Sequence, residues 1–161
     1  ADRVEAGSLM RLLNSTRRYR NLKRMSAFYP VVRQLTRRVA SILELPSNHV
    51  YASHIYRRSP GKGQSLHVDY IPAEDTIKYG QRTWTLVLCL SPGKTKQGGN
   101  FYFPKVEQKV HLEFGSALAW RNVTLDGIPD PDTIHKQFRL DKKAQPRVYI
   151  VFYARTMDHA P

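Results

Sequence analysis

The run Thr83–Leu90, TWTLVLCL, alternates two kinds of side chain. Trp84, Leu86, Leu88 and Leu90 fall on one face and Thr83, Thr85, Val87 and Cys89 on the other, because successive side chains of a strand point to opposite sides. The same texture recurs on both flanks. HVYASHIYR from His49, NFYF from Asn100, KVHLEF from Lys109, SALAW from Ser116 and RVYIVFY from Arg147 all read as short strands, rich in β-branched and aromatic residues. Turn signals separate them: GKTKQGG, Gly115 and DGIPDPD. Short strands with Gly/Pro turns over a stretch of about a hundred residues imply a β-sandwich or barrel.

Upstream of His49 the pattern is helical. In FYPVVRQLTRRVASILELP the residues Val31, Leu35, Val39 and Ile42 form an apolar stripe, from which Arg33, Arg37 and Arg38 are excluded. Pro30 suits a first helical position and Pro46 lies just past the end. A weaker helix is predicted over Val4–Leu13. The chain therefore divides into a helical support, about residues 1–46, and a strand-built core, about 47–155, within one domain of 161 residues.

Composition narrows the setting. No apolar run approaches the length of a membrane span, and no signal-peptide pattern opens the chain. The single cysteine, Cys89, excludes an internal disulfide and sits in an apolar run as a buried, inert thiol. These features favour a reducing, cytoplasmic compartment. The net charge is +13, and the first forty residues carry ten basic side chains against Asp2 and Glu5. Such a field attracts an acidic partner or nucleic acid, or forms a solvated face.

The chemistry is concentrated in HVDY, His67–Tyr70, and in a second histidine, His135, which closes DGIPDPDTIH after the strand SALAW. Two histidines and a carboxylate are the facial triad of non-haem Fe(II) oxygenases, which leaves neighbouring coordination positions open. His67 and Asp69 share parity, so on one strand both point inward, with His135 entering from a later strand. A jelly roll meets that geometry. Arg147 opens the last strand, where a guanidinium could pair two-pronged with a cosubstrate carboxylate or serve as a strand-end charge. His49, His54, His111 and His159 have no partner at ligand spacing, Trp120 reads as core, and Asn122 as a turn residue or an outer support for a ligand.

Several ordered motifs resemble the catalytic domain of the prolyl 4-hydroxylases, among the Fe(II)/2-oxoglutarate-dependent dioxygenases, over about Pro30–Tyr153. HVDY is similar to the family's H-x-D-Y, GQRTWTLVLCLS to its G-Q-R-x-x-T-x-L strand, GGNFYFP to G-G-E-T-x-F-P, and GSALAWRNVTLDGIPDPDTIH to its G-x-A-x-x-W-x-N…D-G-x-P-D-x-x-T-x-H segment. The resemblance implies a mainly β fold, a double-stranded β-helix (jelly roll) with N-terminal helices packed on one side. It implies iron held by His67, Asp69 and His135, with 2-oxoglutarate and O2 as cosubstrates and L-ascorbate as a reductant. The family lysine ten residues beyond the distal histidine falls on Gln145. Two inserted residues bring Arg147 into that role, with Lys142 and Lys143 as alternatives and Tyr56 assisting. Phe101 stands where the family has a threonine, and KQFRL replaces A-G-C-P-V.

The implied substrate is a prolyl residue in a peptide or protein, under a loop formed by IPAEDTIKYGQR and lined by Tyr70, Arg82 and Arg155. Two alternatives stand beside hydroxylation of a peptide. One is an oxygenase of the same fold acting on nucleic acid, and the other a non-catalytic basic interaction module.

Overall fold

A computed structural model describes residues 30–72, 75–76, 80–93 and 97–156. The helix expected over Val4–Leu13, residues 73–74 and 77–79 of the loop expected over the site, and His159 lie outside them. One helix, α1 (Pro30–Ile42), precedes eight strands: β1 (Val50–Arg58), β2 (Gln64–His67), β3 (Arg82–Cys89), β4 (Phe101–Phe103), β5 (Gln108–Val110), β6 (Ala117–Arg121), β7 (His135–Gln137) and β8 (Arg147–Arg155). They form two four-stranded antiparallel sheets, a major sheet β1-β8-β3-β6 and a minor sheet β2-β7-β4-β5. This is the expected jelly roll, with described helix on one side.

The run that opened the reading sits at the middle of the architecture. β3 lies between β6 and β8, with Val87 opposite Leu118 on one side and Val151 on the other. Its two faces serve two cores. Trp84, Leu86, Leu88 and Leu90 meet α1 together with Ile55, Ile150 and Phe152. Val87 and Cys89 face the barrel interior with Phe101, Phe103, Tyr149 and Val151. The apolar character of β8 on both faces follows: eight of its nine residues are buried, as a central strand covered on one side by helix and on the other by barrel requires.

α1 obeys the helical period with a different stripe. Val32, Val39 and Ala40 are buried, Val31 and Leu35 pack beside them, and Ile42 is 71% exposed. The stripe from Val32 through Val39 continues past the helix into Leu43 and Leu45, which cover the same core and leave Ile42 facing water. Arg33, Arg37 and Arg38 are exposed, as expected.

The minor sheet departs from the expected strands in two ways. KVHLEF supplies only the short β5, which ends at Val110. β2 and β7, QSLH and HKQ, have no apolar alternation and were expected only as the strands carrying His67 and His135, without bounds. They pair at Gln64↔Gln137 and His67↔His135 with a register irregularity between. Gly63 permits the approach, since a Cβ there would lie 2.6 Å from the Gln137 carbonyl oxygen.

Candidate metal centre

His67 closes β2 and His135 opens β7, and their register pairing sets the two rings side by side with centroids 4.3 Å apart. Asp69 lies two residues past the end of β2, so it does not share a strand with His67 as the parity argument expected. The irregular segment after the strand turns its carboxylate back between the rings. Asp69 Oδ1 is 3.6 Å from His67 Nε2, and Oδ2 is 3.9 Å from His135 Nε2. One donor atom from each of the three residues falls within 4.8 Å of the others, and among the described residues no second group of His, Cys, Asp or Glu converges in this way.

Local hydrogen bonds orient these donors. His67 Nδ1 lies 2.8 Å from the Ser65 carbonyl and His135 Nδ1 2.9 Å from that of Thr133. Each Nδ1–H donates to its carbonyl, which leaves each Nε2 as an acceptor on the Asp69 side, with the Gln64 amide nitrogen 3.0 Å from that of His67. Burial lowers the pKa of His135, with Asp69 pulling the other way, and a lowered pKa keeps the imidazole in its neutral, ligating form. Phe103 stacks on its ring at 5.2 Å and Trp120 meets it edge-on at 4.7 Å. Asp69 Oδ2 accepts 2.9 Å from the Thr85 hydroxyl, whose oxygen in turn accepts 2.9 Å from Asn122 Nδ2. Both supports are fully buried. Gln81 braces the segment from outside: its side chain donates to and accepts from the backbone of Ile71, at 2.8 and 2.7 Å.

The arrangement fits a small octahedral cation of the Fe(II) type. Two imidazoles and one carboxylate on one side of a point leave the other side to exogenous ligands, and each residue is held by a second bond, as metal ligands are.

No protein-family profile matches the chain. Prolyl 4-hydroxylase 1 of Arabidopsis thaliana is 26% identical over 121 residues, covering 66% of this chain and 42% of that protein. The chain thus spans less than half the length of this curated relative. Among solved structures, a truncated form of the viral collagen prolyl hydroxylase of Paramecium bursaria chlorella virus-1 superposes with a TM-score of 0.76 at 16% identity, over 96% of this chain and 85% of that one. HygX from Streptomyces hygroscopicus, solved with nickel and 2-oxoglutarate bound, gives a TM-score of 0.58 at 16% identity, over 95% and 78%. The fold is that of the prolyl 4-hydroxylase-like 2-oxoglutarate oxygenases.

Within this oxygenase fold the other expected residues fall in different places. Tyr56 faces the interior, stacked on Tyr149 with centroids 5.0 Å apart. Burial raises the pKa of both hydroxyls, that of Tyr149 to about 12, so both are neutral donors. Arg147 is interior but 1% exposed. Its Nη2 donates to the Leu112 carbonyl and lies 3.5 Å from Cys89 Sγ, and Nη1 is 3.5 Å from His111 Nδ1. Gly93 packs against it so closely that a Cβ would lie 2.8 Å from Arg147 Nε. Phe101, in the family's threonine position, meets Tyr149 edge-on. Arg82 stacks 4.1 Å over the Tyr153 ring and points Nη1 at the Asp69 carbonyl, 3.4 Å away. Arg155 donates from Nε to the Tyr51 hydroxyl at 3.0 Å. Tyr70 is half-buried beside Asp69. Lys142 and Lys143 are exposed in the loop before β8.

Four residues of this neighbourhood were not singled out from sequence: Thr85, Arg58, Gln64 and Gln137. Thr85 carried a signal, being a hydroxyl on the same strand face as Val87 and Cys89. So did Gln137, which shares parity with His135 and is 2% exposed. Arg58 and Gln64 read as solvated polar residues around a glycine-rich turn.

Proposed function

We propose that this chain is an Fe(II)- and 2-oxoglutarate-dependent dioxygenase that hydroxylates a prolyl residue in a peptide or protein. The observation that carries the reading is the convergence of His67, Asp69 and His135, with both Nε2 atoms turned to one carboxylate. Bound there, Fe(II) would couple oxidative decarboxylation of 2-oxoglutarate by O2 to hydroxylation of a C–H bond, with succinate and CO2 released. The chain's own residues position and protect. Ser65 and Thr133 carbonyls fix the imidazole tautomers, Thr85 and Asn122 hold the carboxylate, and Phe103 and Trp120 wall the His135 side against water. Two interior-facing arginines, Arg147 and Arg58, are candidate partners for the distal carboxylate of the cosubstrate, with Tyr56 as a neutral donor beside them. Tyr70, Arg82 and Arg155 stand on the Asp69 side and are assigned to the substrate. Ascorbate would keep the iron reduced. The relatives support the prolyl substrate: the Arabidopsis and viral proteins are prolyl hydroxylases by name. The test is incubation with Fe(II), 2-oxoglutarate, O2 and proline-containing peptides, with succinate measured against hydroxyproline. Succinate that depends on iron and rises with peptide supports the reading; hydroxylation that persists without iron overturns it.

One observation favours the nucleic-acid alternative. On the outer face of the minor sheet, Lys136 lies 5.5 Å over the Tyr102 ring and 4.8 Å over Phe138, and Lys109 5.3 Å over Phe138. Alternating cations and rings suit stacked bases and phosphates. Oligonucleotides offered beside the peptides, across a salt series, separate the two substrates. No described helix is long and apolar enough to cross a membrane.

A further inference from the structure

The minor sheet has two faces of opposite chemistry. On β7, His135 and Gln137 are buried in the barrel, so Lys136 between them points outward. On β4, Phe101 and Phe103 are buried, and Tyr102 between them points outward. Tyr102 pairs with Lys109 of β5 on one side and with Lys136 on the other. A row Lys109–Tyr102–Lys136 therefore crosses three strands on the face turned away from the triad. Phe138, two residues past Lys136, adds a second ring 5.5 Å from that of Tyr102.

The row continues into a groove. Lys136 and Phe138 line a cavity of about 490 Å³ with Lys62 and Arg139. Lys62, Lys109 and Arg139 are exposed, and Lys136, Tyr102 and Phe138 are half-buried. None of these six residues is acidic, and among the described residues the ion pairs are those of the triad, so the four cations are not neutralised by the chain. A solvated basic face would explain the charges alone. It does not explain two rings among them, with two ammonium groups converging on Phe138 at 4.8 and 5.3 Å.

Charge selects a polyanion, and the rings select its kind. An acidic peptide could pair with the cations but would leave the rings unused. A single-stranded nucleic acid uses both, its phosphates on the cations and its unpaired bases on the rings. The ammonium groups that lie over the rings in the free protein do not block this. An exposed cation–ring contact is weaker than a base stacked on the same ring, and the displaced ammonium gains a phosphate. We propose that the outer face of the minor sheet binds single-stranded nucleic acid, with Lys62, Lys109, Lys136 and Arg139 on phosphates and Tyr102 and Phe138 under bases. The strand is held on the side of the sheet opposite the triad, so it tethers the protein and is not the substrate of the metal centre. The inference goes beyond the proposed hydroxylation and does not depend on it.

The test is fluorescence anisotropy of a labelled oligothymidylate of about twelve nucleotides with the whole chain, in salt from about 50 to 200 mM. Lys136→Gln and Arg139→Gln should each lower the slope of log affinity against log salt by about 0.7, the share of one phosphate contact on a single strand. Phe138→Leu should weaken binding about 5- to 100-fold with the slope unchanged, the range of one lost base stack. A duplex of the same length, whose bases are not free to stack on the rings, should bind more weakly than the strand. The exposed-charge variants and the duplex carry the test if the leucine variant does not fold. Binding that is unchanged in all three variants would place the strand elsewhere on this basic chain and overturn the proposal. So would competition by an oligoglutamate of equal length as strong as that of the unlabelled strand, which would make the face a dock for acidic protein segments. No turnover is read, so failure here leaves the dioxygenase reading standing.

Discussion

The two ends of the barrel interior treat their polar groups differently. At the triad end, short local bonds hold each donor: the Nδ1 atoms rest on carbonyls two residues upstream while the Nε2 atoms face Asp69, that of His67 also 3.0 Å from the Gln64 amide nitrogen. At the Arg147 end the cation is absorbed into the fold, between a carbonyl, a thiol and a close-packed glycine. Both ends are buried and polar, and each keeps something in reserve: His135 Nε2 at the first, and Arg147 Nε, buried without a hydrogen-bond partner, at the second. Burial of a charged residue therefore marks a site only when its hydrogen bonds leave something over. By that measure Arg147, whose Nε has no partner, resembles the triad more than Arg58 does, whose Nε, Nη1 and Nη2 all donate to acceptors of the chain.

The largest expected effect tests the triad end. His135→Ala should reduce iron affinity by more than about 100-fold, since loss of an outer partner alone costs about 10- to 100-fold, and turnover should fall to background. His67→Ala and Asp69→Gly should behave alike. Metal titration of each variant, with circular dichroism to check the fold, makes the measurement. Normal hydroxylation by any of them would remove that residue from the site.

This end was also the more legible in the sequence, and the reason is physical. A ligand set needs particular residue types at fixed intervals, and HVDY with TIH displays them directly. The strands that carry the two candidate histidines were legible only through those histidines, not through periodicity. QSLH and HKQ are three or four residues long and lack alternation, because their inner faces carry candidate ligands and amides instead of apolar side chains. The major sheet was legible for the opposite reason, its central strands β3 and β8 being long, apolar and covered on both faces. The partner of an arginine was illegible altogether. Arg58 and Arg147 both stand at strand ends, and only the three-dimensional neighbours show which one is committed to the fold.

The next effect tests the Arg147 end. If Arg147 is structural, Arg147→Ala strands the Leu112 carbonyl and opens a void. It should cost about 2–3 kcal/mol of stability, the range for a hydrogen bond to a charged group, and lower the melting temperature by roughly 5–10 °C in a domain of this size. Iron affinity should hold. A variant as stable as the parent but unable to bind 2-oxoglutarate would erase the contrast between the two ends.

A smaller effect is expected at the support of Asp69. Thr85→Val preserves shape but removes the hydroxyl that donates to Asp69 Oδ2 and accepts from Asn122. It leaves a buried amide without its acceptor, at a cost of about 1–2 kcal/mol in stability, and should weaken iron binding by about tenfold. Both losses together support the reading of a held carboxylate. A stability loss with unchanged iron affinity would confine Thr85 to packing.

The smallest expected effect bears on both arginine assignments at once. Lys142 and Lys143 are exposed in the polar loop that leads into β8, and the chain's resemblance to its relatives makes them rivals of Arg147 for the cosubstrate. An exposed ammonium is screened by water and salt and contributes little to holding a buried anion. Lys142→Ala and Lys143→Ala should therefore change the 2-oxoglutarate dissociation constant by less than about threefold, and that change should shrink as salt is raised. A loss of tenfold or more in either variant, persisting at high salt, would place the anion in the loop before β8. That result would contradict Arg58 and Arg147 alike, and the cosubstrate would then be held at the edge of the barrel instead of inside it.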